Sequence, residues 1–483
     1  MKALRDGDVH AVSVITNALT TIYYYQIQGV LLSDTQQLPP KWLKILPTKF
    51  SKRLSSNHSL LAAINNSGWL IFDKSIRLLL GLLVSAWVAR YLGPAQFGEL
   101  AYVLAYLAFF QAVALLGMDG IVVRDIAKKK NEAGEILGTA FILRLTVGFS
   151  CWIIAIAGMV WANGWQDRSV YITALAGVSL IFQSADTIDL WFQSQSQSRR
   201  TVIAKLVAYL ISNGLKILLI LNQAPLLAFA VVMSVEFLFA AIALAYAYRK
   251  FTCQQPWQLL KSRAGRLLRE SWPFILSGLS VLVYMRIDQI MIKEILGEAQ
   301  LGIYVAAIPL ATLGYILPSI IYTSLAPHIS RVKLKSEYEY RSALSKIFVS
   351  FSVIGWITSI PISILSPFFI SLLYGEQYQE SSVVLSIYVF TNIFVCHGVA
   401  LGFWVINENK GKISLIRTFI GALFLVLINL LLIPRLGLVG AAISALSAQA
   451  LSTIFLNRIF APHIFKMQMC SLLFIRYKYE RVC

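Results

Sequence analysis

From Trp69 to about residue 462 the chain is a succession of apolar stretches separated by short polar breaks. Each stretch is near 20 residues, long enough for a helix to cross the ~30 Å of hydrocarbon in a bilayer. Twelve are predicted, at about 68–89, 98–123, 136–161, 170–192, 202–221, 226–248, 271–292, 301–325, 343–373, 382–406, 413–433 and 438–462. The fourth and fifth carry internal polar residues. The ninth contains Pro361 and Pro367, which predict a kink or a break. Lipid offers the backbone no hydrogen bonds, so each segment must satisfy its own and these are helices. The predicted fold is an all-α polytopic membrane protein.

The placement of charge orients it. Loops after even-numbered spans hold eighteen lysines and arginines, among them Arg124, Lys128, Lys129 and Lys130, six between Arg249 and Arg269, and Lys410 and Lys412. Loops after odd-numbered spans hold four: Arg90, Arg168, Lys293 and Arg435. Positive charge stays on the cytoplasmic side, so both termini are expected there. The same bias accounts for the formal net charge of +19 as topology and lipid contact, with no nucleic-acid partner.

A basic loop at about 249–270 divides the spans six and six. Residues 92–98 read LGPAQFG and residues 296–302 read LGEAQLG, five identities in seven at an offset of 204. Six crossings separate the copies, an even number, so the halves are predicted to be parallel repeats related by an axis along the membrane normal. The expected organisation is an N-terminal extension (1–67), a first lobe (68–248), a basic linker (249–270), a second lobe (271–462) and a cytoplasmic tail (463–483). In the extension, Lys41 and WLKILPTKFSKRL (42–54) mix apolar and basic residues in the manner of a membrane-surface segment, interrupted at Pro47.

Composition narrows the chemistry. Hydrophobic residues make up 58% of the 483 and charged ones 13%, with a mean hydropathy of +0.69, which excludes an ordinary soluble domain. The five cysteines are scattered and expected to be free thiols, and the five dispersed histidines suggest no metal site. Acidic residues in MKALRDGDVH argue against a cleaved signal. No phosphate-binding loop occurs, since Gly411-Lys412 is followed by isoleucine. No cofactor is expected.

Several strings are familiar together: RLLLGLLVSAWVARYLGPAQFGELAYVLA (77–105), LGMDGIVVRDIAKK (116–129), GEILGTAFILRL (134–145), SWPFILSGLSVLVYMRIDQIMI (271–292), LGIYVAAIPL (301–310) and GLVGAAISALSAQ (437–449). Over roughly residues 60–462 the chain resembles bacterial polysaccharide-biosynthesis flippases of the Wzx type, relatives of MATE drug exporters and lipid II flippases. The resemblance implies two six-helix lobes in a V with alternating access. It implies an undecaprenyl-pyrophosphate-linked oligosaccharide as substrate, in the bacterial plasma membrane, with polysaccharide polymerase and assembly proteins as further partners.

Ionisable residues at membrane depth are candidates for contact with such a headgroup. Asp73, Lys74 and Arg77 lie in the first span, and Arg144 about 12 Å into the third. Arg286 and Asp288 lie ~24–27 Å into the seventh and point about 200° apart, so one can face a cleft while the other meets a helix. Lys216 and Glu236, on adjacent spans, form either a structural pair or an ion-coupling carboxylate with its partner. Asp119, Asp186 and Asp189 read as interfacial, the last two beside Arg199 and Arg200. Asn392 and Asn429 are expected to hydrogen-bond between helices. A MATE-like exporter of small cations would need an acidic cavity, and a glycan polymerase or ligase a large outer loop. Every outer loop here is about ten residues or shorter, so catalysis of covalent chemistry is not expected.

Overall fold

The computed structural model describes residues 58–477 apart from 196 and 254, with side chains from Ile76 onward. The basic segment at 42–54 lies outside the described residues. Every described element is a helix or a short helical turn. They are α1 (His58–Ala114), α2 (Asp119–Lys128), α3 (Ala133–Asn163), α4 (Arg168–Gly177), α5 (Asp186–Ser194), α6 (Ser198–Leu221), α7 (Leu226–Arg249) and α8 (Lys261–Leu296). There follow α9 (Glu298–Thr312), α10 (Ile316–Lys335), α11 (Glu337–Ile364), α12 (Ser366–Tyr374), α13 (Ser381–Tyr388), α14 (Thr391–Asn407), α15 (Gly411–Ala450) and α16 (Pro462–Leu472).

Ten helical stretches among the described residues are long and apolar enough to cross a membrane. The two longest, Ile76–Lys128 with 53 residues and Gly411–Phe460 with 50, each hold two of the twelve spans expected from the sequence. Gly93 (φ 73°) interrupts the first and Gly437 (φ 59°) the second. At Gly437 the chain doubles back: a Cβ placed on Gly440 would fall 2.3 Å from the carbonyl oxygen of Leu432, eight residues earlier. A straight helix would separate those residues by about 12 Å. The ninth predicted span breaks at Leu365, between α11, which contains Pro361, and α12, which opens on Ser366-Pro367.

The fourth and tenth spans are both broken within the apolar stretch. Between α4 and α5 the chain passes through a 3₁₀ turn at Gln183–Ala185, and α13 ends at Tyr388 before α14 begins at Thr391. A break frees carbonyls that lipid cannot satisfy, and serines on neighbouring helices take them up. Ser234 on α7 donates to Ala176 O at 2.9 Å, and Ser359 on α11 donates to Val389 O at 3.0 Å. The turns repeat as well. Gly93 and Gly297 share a conformation, with ψ 169° and 175°, as do Gly164 and Gly375, both at φ 84°. Only glycine adopts these angles without strain.

Contacts divide the described chain into two compact units. One holds 82–109 with 277–477, the other 58–81 with 110–276. In the second unit α6 pairs with α7, and α3 packs on α4. The basic connection after α7 lies along the start of α3, where glycines leave room for backbone. A Cβ on Gly134 would sit 2.4 Å from Pro256 O, and one on Gly138 2.5 Å from Gln258 N. Trp257 stacks edge-on to Phe141 at 5.4 Å and donates to Tyr248 Oη at 2.7 Å. Arg263, nearly buried, binds Glu132 and also Glu135, the latter at 3.0 Å. In the first unit α14 is central, packing on α10, α11 and α15, while α9 packs on α13. At the start of the predicted tail, α16 lies against α11, burying Ile464 and Met467. The four described cysteines, Cys151, Cys253, Cys396 and Cys470, are free thiols.

Candidate functional site

In the first unit, α8 presents Arg286 and Asp288 on opposite sides. Asp288 is 4% exposed and accepts from Tyr304 Oη on α9 at 2.6 Å and from the Gln289 backbone N–H at 2.8 Å. Tyr304 is itself fully buried and meets Tyr388 edge-on at 6.2 Å. The carboxylate is therefore engaged inside the helical packing. Arg286 is exposed, and its Nη1 reaches Gln289 Oε1 at 3.3 Å. Among the described residues it has no salt bridge. One turn before Asp288, and on its side of α8, Tyr284 donates to Gln449 on α15, and Gly421 leaves space for the Tyr284 ring. Arg286 thus projects from the exposed side of α8, and its charge acts on Asp288 at longer range.

The second unit pairs its membrane-depth charges. The Arg77 guanidinium lies 4.8 Å over the Tyr209 ring, and Tyr209 Oη donates to Arg77 O at 2.8 Å. Asp73 and Lys74 belong to the same helix, but their side chains lie outside the described residues. Arg144 is 1% exposed and binds Asp119, so it is internal to the unit and joins α3 to the start of α2. Lys216 and Glu236 are 3.6 Å apart, and Ser212 donates to the same carboxylate at 2.9 Å.

Asp186 and Asp189 share one lysine. Both bind Lys205 on α6, at 2.8 and 2.7 Å. Lys205, seven residues into α6, is a site the sequence reading missed; its signal was a lone lysine facing two aspartates across a short turn. The roles expected of Asn392 and Asn429 are also corrected. Both are fully buried and neither amide finds a hydrogen-bond partner; Asn392 packs against Gly314 in the turn between α9 and α10.

Two further polar clusters went unread. Arg417, 6% exposed, donates to Asn457 Oδ1 at 2.6 Å. Asn457 is held in turn by Gln468 at 2.8 Å and by Thr453 O at 2.8 Å, beside a π-turn at Leu451–Phe455. His397, fully buried, shares a hydrogen bond with Ser352 at 2.7 Å. At the ends of α11, α14 and α16 lies a cavity of about 100 Å³ lined by Tyr340, Trp404, Glu408 and His463. Burial, with the nearby Arg341 charge, lowers the His463 pKa and keeps the ring neutral. No cluster of three or more metal-ligating side chains occurs among the described residues.

Two broken-helix units with ionisable groups placed at membrane depth define a multi-pass membrane transporter. Comparison with solved structures gives the fold: a MATE-family multidrug transporter in an inward-facing conformation superposes with a TM-score of 0.60 at 17% identity, covering 81% of this chain and 96% of that one. The lipid II flippase MurJ, in an inward closed conformation, gives 0.61 at 14% identity over 85% and 91%. The profile of the polysaccharide biosynthesis protein family matches residues 63–333, more than half of the chain, and the chain belongs to that family. A protein of Shigella dysenteriae described as an O-antigen transporter is 22% identical over 384 residues, 77% of this chain and 94% of that protein. The capsular polysaccharide biosynthesis protein CapF of Staphylococcus aureus is 23% identical over 415 residues, 82% of this chain and all of that protein.

Proposed function

We propose that the protein is a flippase that moves undecaprenyl-pyrophosphate-linked oligosaccharide units from the inner to the outer leaflet of the bacterial plasma membrane for surface polysaccharide assembly. The observation that carries the reading is Arg286, exposed on α8 without a salt bridge among the described residues, in a chain of this family. A cation at membrane depth without a salt bridge is costly in lipid, and an anion that visits the site relieves that cost. A pyrophosphate is such an anion. Each hydroxyl left unpaired in hydrocarbon costs roughly 2–7 kcal/mol, so a polar path replaces water for the head while the prenyl chain stays in lipid.

In this reading the breaks at Gly93 and Gly437 are reversals, giving twelve crossings in two halves, 68–248 and 271–462, with both termini cytoplasmic. Lysine and arginine placement supports that orientation. Arg286 is the candidate phosphate contact of its unit, and Arg77, with Asp73 and Lys74 on the same helix, is the candidate anion contact of the other. Arg144 and Asp288 hold their helices in register around those contacts. Lys216 and Glu236 are the candidate pair for ion coupling. With the cell interior negative, outward movement of anionic charge is favoured by about 2.3 kcal/mol per charge per 100 mV. The protein catalyses no covalent step. Export of small cations is disfavoured, because the carboxylates Asp119, Asp186, Asp189, Glu236 and Asp288 are each held by a donor while Arg286 makes no salt bridge among the described residues.

Depletion of the protein in cells tests the assignment. Lipid-linked repeat units should accumulate on the cytoplasmic leaflet, and Arg286→Ala should reproduce the accumulation at normal protein levels. Unchanged surface glycan after clean deletion, with no second copy of the gene, would overturn it.

A further inference from the structure

Ion pairs clamp the start of α8 to α2 and to the start of α3. Arg263, nearly buried, takes Glu132 and Glu135, and Glu270 takes Arg124 at 2.6 Å. Leu267, between the two clamps on α8, is buried in the same core as Ile126 of α2. The carboxylates of this region are thereby engaged: Glu132, Glu135 and Glu270 by these pairs, and Asp125 by Arg124 at 2.8 Å.

The opposite face of α8 is basic and open. Lys261, Gly265 and Arg269 follow one another at four-residue steps, so they stand one above the other with about 6 Å of rise between neighbours. All three are exposed, as is Arg266. None of the three cations has a salt bridge or a side-chain hydrogen bond among the described residues. Nothing lies within 4 Å of a Cβ built on Gly265, which leaves an open notch between Lys261 and Arg269. Leu268 beside the notch is 38% exposed, and farther along the same face Trp272 and Leu276 are 47% and 54% exposed.

That order of cations, then tryptophan, then leucine is the order of headgroup, interface and hydrocarbon in a bilayer. From Gly265 to Leu276 the helix rises about 16 Å, enough to run from a headgroup phosphate into the acyl chains. We propose that the Gly265 notch, flanked by Lys261 and Arg269 with Arg266 beside it, binds the phosphate group of an anionic phospholipid in the leaflet that α8 enters. A zwitterionic lipid carries its own cation, which three unpaired cations repel, so charge selects a headgroup of net negative charge. The notch, its cations, Trp272 and Leu276 all belong to one compact unit, and the site is complete within it. The proposal requires only that α8 enters a bilayer, so it stands or falls apart from the flippase reading.

The test reads Trp272 in the full chain, reconstituted in vesicles of phosphatidylcholine and phosphatidylglycerol in which one lipid or the other carries brominated acyl chains. Bromine quenches indole fluorescence on contact, and subtracting Trp272→Phe isolates this one of eleven tryptophans. Quenching should report phosphatidylglycerol bound about tenfold more tightly than phosphatidylcholine, and high salt should shrink the preference. Lys261→Gln with Arg269→Gln should bring it within about twofold of unity. Gly265→Leu keeps every charge, has nothing to collide with, and should lower the preference several-fold by filling the notch. These variants should melt with the parent, since none of the replaced side chains has a partner to lose. Equal quenching by the two lipids in the parent, or no quenching of Trp272 by either, would overturn the site. A preference that survives Gly265→Leu intact would reduce it to diffuse attraction and overturn the notch. A preference abolished by a trace of unbrominated undecaprenyl pyrophosphate would give the site to that head and also overturn the proposal.

Discussion

Substituting alanine at Gly302 places a methyl where the repeated motifs touch. Carbon and oxygen approach no closer than roughly 3.3 Å even in favourable contacts, so a Cβ 2.0 Å from Pro94 O forces the segments apart by about 1.3 Å. The obstacle is backbone and cannot rotate away, which puts the cost at the upper end of the ~1–3 kcal/mol seen for overpacking. Alanine returns roughly 0.5–1 kcal/mol of helix propensity, leaving a net loss of about 2 kcal/mol. Gly278 supplies the control. It lies on α8 with nothing within 4 Å of its would-be Cβ, so Gly278→Ala should collect the propensity gain alone. Thermal unfolding in detergent, followed by tryptophan fluorescence, should rank Gly302→Ala below the parent and Gly278→Ala at or above it. A Gly302→Ala protein that melts with the parent or later would refute that contact.

Lys205→Met removes the one cation shared by Asp186 and Asp189 and should destabilise the second unit by roughly 2 kcal/mol, less than the ~3–5 kcal/mol of a fully buried pair because all three groups are partly exposed. Adding Asp186→Asn and Asp189→Asn should recover most of the loss, measured by the same melts. His463 predicts a pH effect. Its folded pKa lies below the unfolded value near 6.5, so the unfolded state binds the extra proton and the stability of α16 falls as pH drops through that region. Protection from hydrogen exchange over Pro462–Leu472, corrected for the intrinsic pH dependence of amide exchange, should be lower at pH 5.5 than at pH 7.5, and His463→Phe should flatten the difference.

Much of the fold was legible because lipid imposes one rule on every span. Apolar length alone placed the helices, and Pro361 with Pro367 placed the break at Leu365. The seven-residue repeat at 92–98 and 296–302 announced a duplication, but only coordinates put the copies in contact. Sequence spacing could not foresee that 82–109 would pack with 277–477, since packing partners are set by long-range geometry. At the site, the 200° offset between Arg286 and Asp288 separated an exposed group from a buried one. Lys205 escaped notice because its aspartates sit across a turn, and Arg417 because its partner Asn457 is forty residues away on the far side of Gly437. Asn392 and Asn429 misled, because an amide in a span predicts a partner that neither has.

The most direct test of the transport account is flipping in purified liposomes. Undecaprenyl-pyrophosphate oligosaccharide loaded in one leaflet should become accessible to a sugar-modifying enzyme on the other side at a rate that scales with protein, and Arg286→Ala should slow it by about tenfold or more, the loss of one charge-assisted contact. Equal rates in protein-free vesicles, or with Arg286→Ala at parent speed, would contradict the account.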